Sequence, residues 1–258
     1  MPLSDVRIFD HAEQLARAAA EGFVESAQKA IARSGRFVVA LAGGSTPKRL
    51  YRLLADKPYS QQIDWSRVLV LWSDERTVGP EHPESNYKMA WDALLCRVPI
   101  DPTRVLRMPG EAKDIDQAAA DYQQRIAAAL DVSDHGAAPC LDLILLGIGE
   151  DGHTASLFPY TAALDEQHRW VVANHVPQKN MKRLTMTLPI LNRAKRIFFL
   201  VTGANKAGVL REILEGPCEA ARFPAQAVQP TDGQLVWMAD RDAAAAWEHA
   251  GKDQASQS

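Results

Sequence analysis

Short apolar runs that end in glycine or charge alternate with amphipathic segments along the chain, and few folds accept that pattern. RFVVALAGG (36–44), SRVLVLWSDER (66–76) and CLDLILLGIGEDG (140–152) are rich in branched residues without polar alternation. Such runs read as strands buried on both faces. Between and around them stand helical segments. In 10–34, Leu15, Ala19, Phe23, Ala27 and Ile31 recur at four-residue steps and Gly35 follows as a stop. Further helices are expected over 46–56, 84–98, 114–130 and 205–216, and a last one after 234–240 reaching Trp247. WVVANHV (170–176), KRLTMTL (182–188), RIFFLVTG (196–203) and QLVWMAD (234–240) are further strand candidates, and RVLRMPG (104–110) a short one. The alternation predicts an α/β fold: a doubly wound, mostly parallel sheet with helices on both faces. At 258 residues, with no Pro/Gly/Ser-rich linker and no internal repeat, one domain over 1–250 and a polar tail over 251–258 are expected.

Composition narrows the function. The net charge of −3 argues against nucleic acid as the main partner. No stretch approaches a membrane span. The first residues carry Asp5, Asp10, Glu13 and Glu21, with no apolar core before a cleavage site, unlike a secretory leader. Cys96, Cys140 and Cys218 are odd in number, widely spaced and without a CxxC, as expected of reduced thiols in a cytoplasmic protein. His11, His82, His135, His168, His175 and His249 are scattered and HExxH is absent, so no metal is expected.

In parallel sheets ligands bind beyond the carboxyl ends of the strands, so the loops after the buried runs carry the chemistry. The first is Gly43-Gly44-Ser45-Thr46-Pro47. Thr46 suits an N-cap and Pro47 the first helical position, and free amides at a helix start attract an anion such as phosphate. Neither a P-loop nor a GxSxG elbow is present. Alone, this is also how an ordinary capped strand-to-helix turn reads. The second is Ser73-Asp74-Glu75-Arg76, three charges placed either to act on a ligand or to form a solvated ion-paired turn.

The third, Gly147-Ile148-Gly149-Glu150-Asp151-Gly152-His153, matches GxGxxG. Glu150 and Asp151 inside the loop would repel a pyrophosphate, and RWVVAN stands where a ribose-binding acid belongs, so dinucleotide binding is rejected. What remains is an imidazole able to move protons near neutral pH, with Asp151 or Glu150 to fix its tautomer. Arg183 and Lys206 stand after or within later strand candidates, Lys206 at a glycine turn before a helix, where it would reinforce an anion site but, taken alone, reads as a solvated surface cation. The basic run RAKR (193–196) reads as a solvated turn.

In this order and spacing, ALAGGSTP, WSDER followed by HPESNY, GIGEDGHTASLFP and GANKA resemble the 6-phosphogluconolactonase family, part of the superfamily shared with glucosamine-6-phosphate deaminase. The resemblance spans about residues 5–240. It implies a cytoplasmic α/β enzyme without metal or organic cofactor, a monomer or weak homodimer, hydrolysing 6-phospho-D-glucono-1,5-lactone in the oxidative pentose phosphate pathway. It implies His153 as the general base that activates water and Arg76 as stabiliser of the oxyanion. Asp74 and Asp151 are implied as polar site members. Gly43, Gly44, Ser45 and Thr46, with Lys206 and Arg183, would grip the phosphate. The deaminases carry an acid five residues after the motif histidine, where this chain has Phe158, and an aromatic residue in place of Arg76. Both departures point to the lactonase branch, leaving a deaminase-like isomerase and a non-catalytic phosphosugar binder as the alternatives.

Overall fold

The computed structural model describes residues 5–177 and 180–247. In chain order its elements are β1 (Asp5–Phe9), α1 (Ala12–Ser34), β2 (Phe37–Leu41), α2 (Ser45–Ala55), β3 (Val68–Trp72), β4 (Asp74–Arg76), α3 (Asn86–Ala93) and α4 (Ile115–Leu130). There follow β5 (Leu143–Leu146), β6 (Val171–Val176), β7 (Met181–Met186), α5 (Leu188–Leu191), β8 (Arg196–Val201), α6 (Ala207–Glu215) and β9 (Gln234–Asp240). Six strands form one sheet in the order β1-β9-β8-β5-β2-β3, with every pairing parallel. The other three form a small antiparallel sheet, β4-β7-β6.

The apolar runs without alternation are the central strands. Every residue of β2, β3 and β5 is buried, as both faces of a parallel sheet must be when helices cover them. Phe23 of α1 meets Phe37 of β2 edge to face at 5.3 Å, and Phe199 of β8 stacks on Trp237 of β9 at 3.9 Å. Right-handed crossovers put α1 and α2 on one face, because the chain steps rightward from β1 to β2 to β3. From β3 it turns back through β5 and β8 to β9, which puts α4 and α6 on the other face. The direction reverses between the neighbours β2 and β5. That is the switch point, where the loops leaving two adjacent strands diverge and open a crevice.

Several local expectations are corrected. Asp5–Phe9 is an additional strand at the sheet's edge, where one acid (Asp5), one base (Arg7) and partial exposure blunt the apolar signal. RVLRMPG contributes only a bridge between Val105 and Val70, since Pro102–Arg104 takes a 3₁₀ turn. Residues 241–246 form turns rather than a last helix. The 251–258 tail lies outside the described residues.

No helix among the described residues is long and apolar enough to cross a membrane.

Candidate active site

The three loops and the Lys206 turn come together at the carboxyl end of the parallel sheet, joined by side-chain contacts, and the pairing of β4 with β7 brings Arg183 opposite Arg76. The turn after β2 opens α2. The helix starts at Ser45 with Gly44 as its N-cap at φ 104°, a conformation that favours glycine. The predicted cap at Thr46 and first position at Pro47 are therefore each displaced inward. Thr46 is released from capping, and its hydroxyl lies 2.6 Å from that of Thr202 at the end of β8. This contact joins the glycine turn to the loop carrying Lys206, which ends a 3₁₀ turn just before α6. Pro47 has no N–H, so the amides of the first turn left without a partner in α2 are those of Ser45 and Thr46.

Gly43 is required for a different reason. A Cβ there would stand 1.9 Å from Oδ1 of Asn86. Asn86, the first residue of α3, in turn donates from Nδ2 to the carbonyl and to Oδ1 of Asp74, at 3.0 and 3.1 Å. Asp74 is buried, and its Oδ2 accepts from the Ser156 hydroxyl at 2.7 Å. The Asp74 carboxylate thus bolts the loop after β3 to the turn after His153. Asn86 and Ser156 were missed as site residues. Asn86 falls within the helix expected over 84–98 with nothing to mark it as a site residue, and nothing in the local pattern around Ser156 announces an 82-residue reach.

SDER was expected to run into a polar loop, and instead Asp74–Arg76 is a strand. Its partners on β7 place Arg76 directly opposite Arg183. Glu75 points the other way, into the protein. Its Oε1 accepts from the Asn86 and Arg76 amides, each at 2.8 Å, and its Oε2 from the Tyr87 amide at 2.8 Å and the Ser85 hydroxyl at 3.0 Å. It closes the start of α3 and is unavailable to a ligand, although burial pushes its carboxyl upward. Glu75→Ala is expected to lower stability by about 2–4 kcal/mol, since four donors lose one charged acceptor. Urea unfolding checks this, and a loss under about 1 kcal/mol would contradict it.

Arg76 and Arg183 form a like-charged cross-strand pair, an arrangement that destabilises a sheet unless something negative meets it. Arg76 donates from Nη1 to the Glu84 carbonyl, which anchors its guanidinium on the loop before α3. Burial, and then the charge of Arg76, lower the pKa of Arg183.

The loop after β5 carries an aspartate–histidine pair. Asp151 Oδ1 accepts from the His153 amide at 3.2 Å and is hydrogen-bonded to His153 Nδ1. Of the two acids expected to fix the imidazole, Asp151 does so. Glu150 instead accepts from Asn205 Nδ2 at 2.6 Å, a further tie to the Lys206 loop. With Nδ1 held by a carboxylate, Nε2 of the neutral ring is left as the basic nitrogen. The His153 side chain is 25% exposed. Phe158 stacks on the ring at 4.1 Å. Gly149 lies beneath it: a Cβ there would come 1.9 Å from Nδ1. Thr154 donates to the Gly147 carbonyl at 2.9 Å, and the His153 carbonyl accepts from the Gly149 amide at 2.8 Å. Both clamp the loop into a tight turn. The described residues hold no group of three or more His, Cys, Asp or Glu that could ligate a metal.

Residues 10–237 match the model of the family described as glucosamine-6-phosphate isomerases/6-phosphogluconolactonase. The chain belongs to that family. A 6-phosphogluconolactonase of Synechocystis sp. is 42% identical over 215 residues, covering 83% of this chain and 86% of the relative. Among solved structures, the 6-phosphogluconolactonase of Trypanosoma cruzi superposes with a TM-score of 0.83 at 26% identity, covering 96% of this chain and 98% of that one. A monomeric glucosamine-6-phosphate deaminase superposes with a TM-score of 0.78 at 25% identity, covering 94% and 99%. The family fold therefore carries two chemistries, and site residues must separate them.

Proposed function

We infer that this member of the family hydrolyses 6-phospho-D-glucono-1,5-lactone to 6-phosphogluconate. The observation that carries the reading is the Asp151–His153 pair at the switch-point crevice, with Phe158 stacked on the imidazole. A deamination with isomerisation needs an acid–base relay at the sugar's ring, and an apolar ring against the histidine cannot join one. Lactone hydrolysis needs only a base and an oxyanion donor. His153 Nε2 takes a proton from water as the water attacks the lactone carbonyl, and Asp151 stabilises the imidazolium that forms. Arg76 meets the negative charge that develops on the carbonyl oxygen. Collapse of the tetrahedral intermediate breaks the ring ester bond, and the imidazolium returns its proton to the departing ring oxygen. A six-membered lactone is an activated ester, so no covalent nucleophile is required.

The substrate's phosphate lies in the reading against Gly43, Gly44, Ser45 and Thr46, with Lys206 and Arg183 supplying charge. This role for Arg183 gives the like-charged Arg76–Arg183 pair an anion to face. Asp74 acts through position: it holds the β3 loop against Ser156 and so keeps Arg76 and His153 in one frame. The reading is of a monomer or weak homodimer, and the cytoplasm and the oxidative pentose phosphate pathway are the setting this reaction implies.

The deciding experiment is an assay on freshly generated 6-phosphogluconolactone, corrected for spontaneous hydrolysis, run beside ammonia release from glucosamine 6-phosphate. Turnover of the lactone without ammonia is expected. Ammonia release instead would replace the reading with the deaminase, and binding of phosphosugar without turnover of either would leave a sensor. Lys206→Ala is expected to raise KM roughly tenfold or more while kcat changes less, because it removes uniform binding of the phosphate. A pure kcat defect would contradict a phosphate-anchoring lysine.

A further inference from the structure

A second cleft, of about 560 Å³, opens at the opposite end of the parallel sheet. Its walls are the last turns of α1 and the residues that lead into β5, β8 and β9, among them Asp142, Lys195 and Gln234. β8 alone separates the two ends by roughly 20 Å, so this cleft shares no wall with the crevice that holds His153.

Its charge is one-sided. Arg7, Lys29, Arg33, Lys195 and Arg196 line it with two carboxylates, Glu25 and Asp142, and Arg7 is itself paired with Asp5 at 2.6 Å. The whole chain carries −3, so the excess is local. Both acids are already committed. Glu25 takes Lys29 at 2.7 Å and Arg196 at 2.8 Å. Asp142 takes Arg33 at 2.6 Å and the Val38 amide at 2.9 Å. Lys195 has no carboxylate within ion-pair distance among the described residues. Arg196 is held in place: its side chain is 16% exposed and its guanidinium lies over Phe198 at 4.9 Å. Its buried Nε has no partner among the described residues. A second lobe of about 370 Å³ shares Arg33, Asp142 and Lys195 and adds Arg36 and Arg193. Neither addition has a carboxylate partner among the described residues. The run RAKR, expected as a solvated turn, is thus the rim of a basic groove.

We propose that this groove binds a small organic polyphosphate, with Lys195, Arg193 and Arg36 meeting its phosphates. A single phosphate would fill only part of one lobe, whereas cations distributed over two neighbouring lobes with shared walls fit several linked anionic groups. Concavity favours a compact ligand, and the net negative charge of the chain opposes a long polyanion. The volume lies in the range that encloses ligands of this size.

The test is calorimetry on the full chain with tripolyphosphate as probe, with 6-phosphogluconate saturating the catalytic crevice. One binding event per chain is expected, persisting in Lys206→Ala and weakened at least tenfold in Lys195→Glu and Arg193→Glu, as lost charge-assisted hydrogen bonds require. Both side chains are exposed, so these variants keep their fold and their turnover without the probe. No binding with the crevice blocked overturns the proposal, as does binding that the two charge reversals leave unchanged. Equal affinity for a single-stranded DNA oligonucleotide also overturns it, in favour of a nonspecific basic surface. If 6-phosphogluconate itself gives no heat, the lactonase reading fails, and tripolyphosphate binding to Lys206→Ala still reports on this groove.

Discussion

His153→Ala lowers kcat on the lactone by roughly 10²–10⁴-fold, the usual worth of a positioned general base. KM stays within a few-fold of its original value. The separation of the two parameters follows from the architecture. The imidazole stands on the loop after β5, whereas the groups proposed to hold the phosphate stand at the start of α2 and before α6. Deleting the ring removes proton transfer and leaves these phosphate-holding groups in place. The cavity is small and its walls are clamped by the Thr154–Gly147 and Gly149–His153 backbone links, so the loop keeps its course. Turnover within a few-fold of the parent would remove His153 from the mechanism, whatever the family resemblance.

The second large effect is on a residue with no chemistry of its own. Gly149→Ala is expected to lower kcat about 10²-fold or more, as a displacement of about 1 Å in a catalytic group does. The new Cβ would stand 1.9 Å from Nδ1 and 2.1 Å from Cε1 of His153, and 2.5 Å from Oδ1 of Asp151. The backbone at Gly149 lies outside the left-handed region, so the chain accepts alanine there and the side chains must yield. The imidazole swings off its carboxylate and away from the water it is proposed to activate. Thermal unfolding is expected within a few degrees of the parent, while single-turnover hydrolysis is slow. A variant with full activity would show that the ring does not need its present position. Unfolding far below the parent would show that the clash is absorbed by the backbone instead.

These two variants divide what could be read in the chain from what could not. The buried strands were legible because a parallel strand covered on both faces is apolar at every position, and β2, β3 and β5 are buried throughout. Long helices were legible through their four-residue recurrence. The edge strand β1 and the three-residue β4 were not. β1 shows one face to solvent, and β4 is specified by a partner more than a hundred residues away, Arg183 opposite Arg76. Gly149 was legible only as a letter of a loop motif. That its missing side chain is the seat of the imidazole depends on how the loop folds back, which no local pattern states.

Residue identities alone determined the layered architecture and which loops follow the buried strands, because hydrophobic periodicity and glycine turns act over a few residues. They also placed His153, Asp151 and Lys206 in loops that follow strands. Only the tertiary structure decided which neighbour each charge serves. Asp151 went to the histidine and Glu150 to Asn205, Glu75 turned inward to cap α3, and the RAKR run closed around a groove at the far end of the sheet. The reason is physical: a charged side chain is satisfied by whichever partner the fold brings within about 3 Å, and sequence distance carries no information about that partner.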